Sequence, residues 1–249
     1  MTDIIRIFGF NVSRKPVRQI VTDAIIHTQV SVVNTINPHS YIETKSDLVF
    51  RNALLESDVL IPDGSGIVLA SKLINKMDLK KVAGIDLFLE TMTQLNEISG
   101  SVFFLGSSNK VLDLIKVRAE TDYPNVTVNT LSPPFKVSFS DSDLADFIQS
   151  INASSSQVLF VGLTAPKQEK LIHQIKTKIN VRMVSGIGAV FDFYAGTVVR
   201  PHPLWLKLHL EWFARFLGEP KRLWRRNFVS TPLFLLEILL TTLGVKKFD

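Results

Sequence analysis

Up to about residue 195 the chain alternates short runs of consecutive apolar, often β-branched residues with stretches of helical period. The runs are Ile4–Phe8, Ser31–Thr35, Val59–Ile61, Val102–Leu105, Val126–Leu131, Val158–Val161 and Val181–Val184. Between them lie helical patterns such as Val17–Thr28, Asp86–Glu97, Asn109–Thr121, Asp143–Ile151 and Pro166–Ile179. A strand with one wet face alternates apolar and polar residues, and these do not, so both of their faces must be covered. Strands buried on both faces and separated by helices predict an α/β fold: a doubly wound, mostly parallel sheet with crossover helices.

The rhythm breaks at Gly196-Thr197-Val198-Val199-Arg200-Pro201-His202-Pro203, which divides the chain into a core over 1–195 and an appendage over 196–249. A helix is expected over Leu204–Leu217, with Gly218 as its cap and Pro220 in the first turn of the next. Residues 1–199 are electrically balanced, whereas residues 200–249 hold nine Lys and Arg against four Asp and Glu, the whole of the chain's +5. Trp205, Trp212, Trp224, Phe213, Phe216 and Phe228 are interleaved with Arg215, Lys221, Arg222, Arg225 and Arg226. Basic heads on aromatic bodies suit an anionic lipid interface. Phe228–Val245 contains Glu237 and falls short of the ~18–20 uninterrupted apolar residues of a spanning helix, so it is expected to lie on a membrane or on the protein. Met1–Arg6 carries no secretory pattern. With no Cys, neither disulfides nor Cys-ligated zinc enter.

In an open α/β sheet, ligands bind at the carboxyl ends of the strands. Four such loops carry polar residues beyond turn chemistry: Asn34–His39, Pro62–Gly66, Gly162–Glu169 and Gly186–Asp192. Asp63 follows the apolar run Val59-Leu60-Ile61 and precedes glycines that would let a ligand near the backbone. Its carboxylate is placed to take a proton from an attacking hydroxyl, or else to cap a helix beginning near Ile67. Gln168, just inside a helix, is either a ligand for a sugar or diphosphate oxygen or a solvated first-turn residue. Thr35 and Asn37 offer hydrogen bonds, although Asn-Pro is itself a turn signal. The Gly186/Gly188 pair lacks the third glycine of a dinucleotide fingerprint, Phe191 taking its place. Asp141-Ser142-Asp143 matches a D-x-D metal pattern but follows no apolar run and introduces a helix, so it reads as capping. The five histidines show no ligand spacing, and no metal site and no cofactor are expected.

Four segments, in order, resemble the TagA/WecG/CpsF glycosyltransferases (glycosyltransferase family 26). They are Ile61-Pro62-Asp63-Gly64; Val82-Ala83-Gly84-Ile85-Asp86-Leu87; Gly162–Lys170 (GLTAPKQEK); and Leu210–Arg215 leading to Glu219-Pro220-Lys221-Arg222. The resemblance spans nearly the whole chain. It implies a Rossmann-like core with a helical C-terminal appendage that reaches the membrane and closes over the active site. The implied reaction is an inverting, metal-independent transfer from a UDP-sugar (N-acetylmannosamine, its uronic acid or glucose) to a polyprenyl-diphosphate-linked sugar in teichoic acid or other surface polysaccharide synthesis. Asp63 then matches the catalytic base. Thr35, Asn37, Gln168 and Asp192 match polar active-site positions, and Arg215, Arg222 and Arg225 match arginines that hold the UDP diphosphate, unless they form only a solvated or lipid-facing surface. Lys81 stands where the family commonly has Arg, a point charge in place of a bidentate fork. The expected place is the cytoplasmic face of the bacterial plasma membrane, as a peripheral protein on an anionic surface, with a homo-oligomer left open. A non-catalytic nucleotide-binding scaffold and a Rossmann oxidoreductase are the rivals. Nucleic acid is not an expected partner, because Thr231–Leu243 suits lipid better.

Overall fold

The computed structural model describes residues 3–198 and 220–246, apart from the side chains of Lys221 and Arg222. Six strands form one wholly parallel sheet: β3 (Ser31–Ile36), β4 (Val59–Pro62), β5 (Ser101–Gly106), β6 (Thr127–Leu131), β7 (Val158–Gly162) and β8 (Met183–Gly186), in spatial order β4-β3-β8-β7-β5-β6. The central strands are buried on both faces, Val102 through Leu105 and Val158 through Val161 included. That is why their runs lack alternation. One face is covered by α1 (Val17–Ile26), α5 (Gly84–Glu97), α6 (Asn109–Asp122) and α9 (Val190–Ala195). The other is covered by α7 (Asp141–Ser154) and α8 (Lys167–Ile175), with α3 (Leu48–Leu55) packed beside α8. The doubly wound architecture is as the sequence predicts.

One expectation needs correction. Ile4–Phe8 is a strand, but not of this sheet. β1 (Ile4–Ile7) pairs antiparallel with β2 (Phe10–Ser13), a strand absent from the sequence reading, in a separate hairpin. Phe8 and Gly9, with φ of 51° and 84°, form its two-residue turn. Positive φ at both central positions is the hairpin geometry that matches strand twist, usually signalled by Asn-Gly. Phe-Gly gives no such signal. Phe8 is held there by stacking on Tyr41 (4.7 Å) and meeting Phe234 edge-on (5.4 Å).

The hairpin belongs to a second apolar cluster with α2 (Pro38–Glu43), α4 (Ser65–Ala70), the π-helical turn Ser71–Asn75 and the C-terminal segment. That segment is helical from Pro220 to Thr242: α10 (Pro220–Trp224), a π-helical turn (Arg225–Ser230) and α11 (Thr231–Thr242). Phe234, with 0 % exposure, and Ile238 insert from α11 into the cluster, while Leu233, Leu235, Leu236, Leu239 and Leu243 stay exposed. No described helix is long and apolar enough to cross a membrane. The helix expected over Leu204–Leu217 lies outside the described residues.

Candidate functional site

The four polar loops follow β3, β4, β7 and β8, and these strands are neighbours in the order β4-β3-β8-β7. Their carboxyl ends line one continuous edge. The chain leaves β7 toward α8 on one face and β8 toward α9 on the other, the kind of switch point at which open α/β sheets bind ligands.

Thr35 sits on β3 in register with Ile61. Asn37 then caps α2: its Oδ1 accepts from Ser40 N (3.0 Å), and Ser40 Oγ accepts from Asn37 N (2.8 Å). This capping box commits the Asn37 oxygen to the fold and leaves its amide NH₂ as the group to offer a ligand. Asp63 is half-buried at the end of β4, where its N–H donates to Ile36 O (2.8 Å), which places it beside Asn37. The following helix, α4, starts at Ser65 with Gly64 at the cap position, one residue after Asp63. Of the two glycines after Asp63, Gly66 is needed by the packing itself. A Cβ on Gly66 would lie 2.4 Å from Pro38 Cγ and 3.3 Å from the Phe234 ring. At Gly66 the close approach is therefore by α2 and α11. Val82 N–H donates to Pro62 O (3.0 Å) and carries the exposed Lys81 to the same strand end.

Gln168 is not a solvated first-turn residue. It is 5 % exposed, and its amide is engaged on both sides. Oε1 accepts from Gly188 N (3.0 Å), and Nε2 donates to Glu169 Oε1 (2.9 Å). A Cβ on Gly186 would come within 2.8 Å of the Gln168 side chain, so this glycine pair seats a glutamine instead of a dinucleotide. Asp192, half-buried in the first turn of α9, receives Thr197 N at its carbonyl oxygen (3.1 Å). Sequence reasoning passed over Glu169, although it stands next to Gln168 in the GLTAPKQEK segment. It is 4 % exposed, and burial pushes its pKa up to about 7.

The C-terminal segment grips α2 along its length. His39 Nδ1 is 2.8 Å from Ser230 Oγ, Arg225 Nη2 is 3.1 Å from Glu43 Oε1, and Lys45 binds Glu237. Burial, followed by the nearby Arg226 and Arg225, lowers the His39 pKa against the opposing pull of Glu43. Arg225 thus stands one short helix away from Asn37, paired with a carboxylate. Arg215 and the Arg222 side chain lie outside the described residues. Asp141 and Asp143 sit in the first turn of α7, which Ser140 caps. Lys136 lies 2.9 Å from both Asp143 oxygens and, with the Ser140 bonds, holds the Asp143 pKa down to about 2. Among the described residues, no three His, Cys, Asp or Glu side chains gather as a metal site.

Residues 5–247 match the glycosyl transferase WecG/TagA/CpsF family. The chain is 31% identical over 205 residues (82% of this chain, 77% of the relative) to an N-acetylglucosaminyldiphosphoundecaprenol N-acetyl-beta-D-mannosaminyltransferase of Bacillus spizizenii. Proteins of the same description from Bacillus subtilis and Staphylococcus aureus (strain MW2) are 28% and 26% identical, covering 88% and 86% of this chain and 82% and 81% of theirs. A match over almost the whole chain, together with a sheet edge that gathers Asp63, Asn37 and Gln168, makes this protein a member of the WecG/TagA/CpsF family of glycosyltransferases.

Proposed function

We propose that the chain transfers N-acetylmannosamine from its UDP derivative to N-acetylglucosaminyl-diphosphoundecaprenol, with inversion and without a metal ion. The observation that carries this reading is Asp63, a carboxylate at the carboxyl end of β4, hydrogen-bonded through its backbone beside Asn37 on the same sheet edge as the loops after β7 and β8. Asp63 takes the proton of the acceptor hydroxyl. The freed oxygen bonds to the anomeric carbon from the face opposite UDP, and the bond from that carbon to the β-phosphate oxygen breaks, leaving UDP with the electron pair. The relatives' names specify a β product, and from an α-linked sugar nucleotide that outcome requires inversion.

Thr35 and the Asn37 amide orient the sugars. Gln168 shapes the wall opposite them, with Lys81 and Asp192 at the rim. Fixed cations stabilise the departing diphosphate. Arg225 exchanges Glu43 for phosphate, and Arg215 and Arg222 join it. The metal-independent part of the proposal rests on the donor set, since Asp143 of the D-x-D pair is engaged in the capping box of α7 and in binding Lys136. Peripheral attachment at the cytoplasmic membrane face is supported by the outward leucines of α11 and by the +5 confined to residues 200–249.

The test incubates the full chain with a panel of UDP-sugars and short-chain lipid-diphosphate acceptors, with products read by mass spectrometry. An N-acetylhexosamine added only from UDP-N-acetylmannosamine is the expected result. Transfer from UDP-glucose alone would refute the sugar, and no transfer from any pair would refute the reading.

A further inference from the structure

Glu169 is a carboxyl group in a place that ordinary packing does not favour. It lies on the first turn of α8, 4 % exposed, with Oε2 buried and without a hydrogen-bond partner among the described residues. The cations of its own helix are directed elsewhere. Lys167 lies over the Phe139 ring (3.9 Å) and binds Lys136 O, Lys170 binds Asp47, and Lys176 binds Glu56 at 2.9 Å. His173, one turn on, faces Glu56. A buried carboxyl is normally paired or replaced by an apolar residue, because leaving its oxygen unsatisfied is costly. Among the described residues its side-chain partner is the amide of Gln168.

That partner explains the carboxyl. A buried glutamine amide has two orientations, differing by exchange of oxygen and nitrogen. Only one of them lets Oε1 accept from Gly188 N–H (3.0 Å). Once ionised, the Glu169 carboxylate at 2.9 Å accepts hydrogen bonds only, so it selects the orientation that turns Nε2 toward it and Oε1 toward Gly188. Gly188, with φ of 51°, is the turn residue of the loop into α9, which carries Asp192.

We propose that Glu169 is a positioning residue for the transfer: its buried carboxyl fixes the Gln168 amide and, through it, the Gly188 main chain at the switch point of the sheet. The assignment rests on the glycosyl-transfer reading above. It departs from that reading in giving the work of ordering that main chain to a residue that touches no substrate. The raised pKa of Glu169 is in keeping with this, because strongly shifted buried groups gather at functional sites.

The test uses Glu169→Leu and Glu169→Gln in the full chain. Loss of the acceptor should cost about 10- to 100-fold in kcat at saturating substrates, the size expected of an ångström-scale misplacement, with KM within about threefold. Glu169→Gln, whose carboxamide oxygen can accept the same bond, should restore most of the turnover, whereas a purely packing role would be met by the similarly sized Leu as well. Should the Leu variant fail to fold, Glu169→Asp, one methylene shorter, makes the same comparison. Hydrogen exchange of the peptide spanning 186–191 gives a reading independent of activity: it should quicken with the Leu or Asp variant and not with Gln. Unchanged kcat in the Leu or Asp variant, equal losses in that variant and in Gln, or unaltered exchange would each overturn the proposal. If wild type transfers no sugar from any donor, the transfer reading fails, and the exchange experiment still decides the Glu169–Gln168–Gly188 coupling.

Discussion

Replacing Phe234 by Ala separates the docking of the C-terminal segment from the integrity of the core. Phe234 has 0 % exposure, and its ring meets Phe8 at 5.4 Å and Tyr41 at 5.5 Å, both edge-on. Deleting such a ring costs about 3–5 kcal/mol, transfer and cavity terms together. The polar contacts of the segment cannot replace that contribution. Lys45–Glu237 and Arg225–Glu43 each include a partly or largely exposed side chain and are worth about 1 kcal/mol or less apiece. The loss should therefore appear as easier local opening of α11. At about 1.4 kcal/mol per tenfold, its amides should exchange roughly 10²- to 10³-fold faster, while β5 and β7 keep their protection. Hydrogen exchange read by mass spectrometry measures both regions in one experiment. Glu237→Gln is the comparison and should accelerate exchange far less. If Phe234→Ala left exchange over Thr231–Thr242 within twofold of wild type, burial against Tyr41 and Phe8 would not be what holds the segment.

Asp63→Asn should lower turnover by about 10²- to 10⁴-fold with UDP affinity nearly unchanged; near-normal kcat at saturating substrate would remove it as the base. Glu169→Gln should also shift stability with pH. Below pH 4.5 the folded and unfolded carboxyls are both protonated and the substitution is neutral. As pH rises from 4.5 to 7 the unfolded chain ionises first and wild type loses up to about 3 kcal/mol, which the Gln variant keeps. Denaturant melts at pH 4.5 and pH 8 test this, and equal differences at both would contradict it. Activity should persist in EDTA, and Asp141→Ala with Asp143→Ala should lower Tm while sparing turnover; rescue of an EDTA-treated enzyme by Mg²⁺ or Mn²⁺ would reverse both expectations. Leu236→Glu with Leu239→Glu should weaken co-sedimentation with anionic vesicles and leave transfer to a soluble acceptor within about threefold, whereas undiminished sedimentation would place the lipid contact elsewhere.

The parallel sheet was legible because burial on both faces writes itself as unbroken apolar runs, as in Val102–Leu105. The carboxyl-end rule then located four loops that the fold does bring together. Short elements were not legible. α2 and α4 have six residues each, fewer than two helical turns, and stand on tertiary packing and capping more than on period. The β1–β2 hairpin hid behind a Phe-Gly turn whose conformation is enforced by Tyr41 and Phe234, far away in sequence. Roles within the loops were legible in part. Polarity marked Asn37 and Gln168 as residues of interest, yet only three-dimensional contacts disclose that one caps a helix and the other is held by Glu169 and Gly188. Glu169 itself carries no signal in isolation, since a glutamate in a first helical turn is ordinarily solvated.

The short helix α2 also sets what can be exchanged between relatives of this chain. Its first residue follows Asn37, and its far end offers Tyr41, Glu43 and Lys45 to Phe234, Arg225 and Glu237. At about 1.5 Å per residue, six residues make a strut of roughly 9 Å, too short to absorb a misfit at one end without shifting the other. A chimera that takes only residues 220–246 from a relative would set foreign side chains against these three and strain the cap beside Asp63. Moving Asn37–Lys45 together with the C-terminal segment keeps both ends matched, so the smallest portable unit is discontinuous in sequence and joined across the sheet edge.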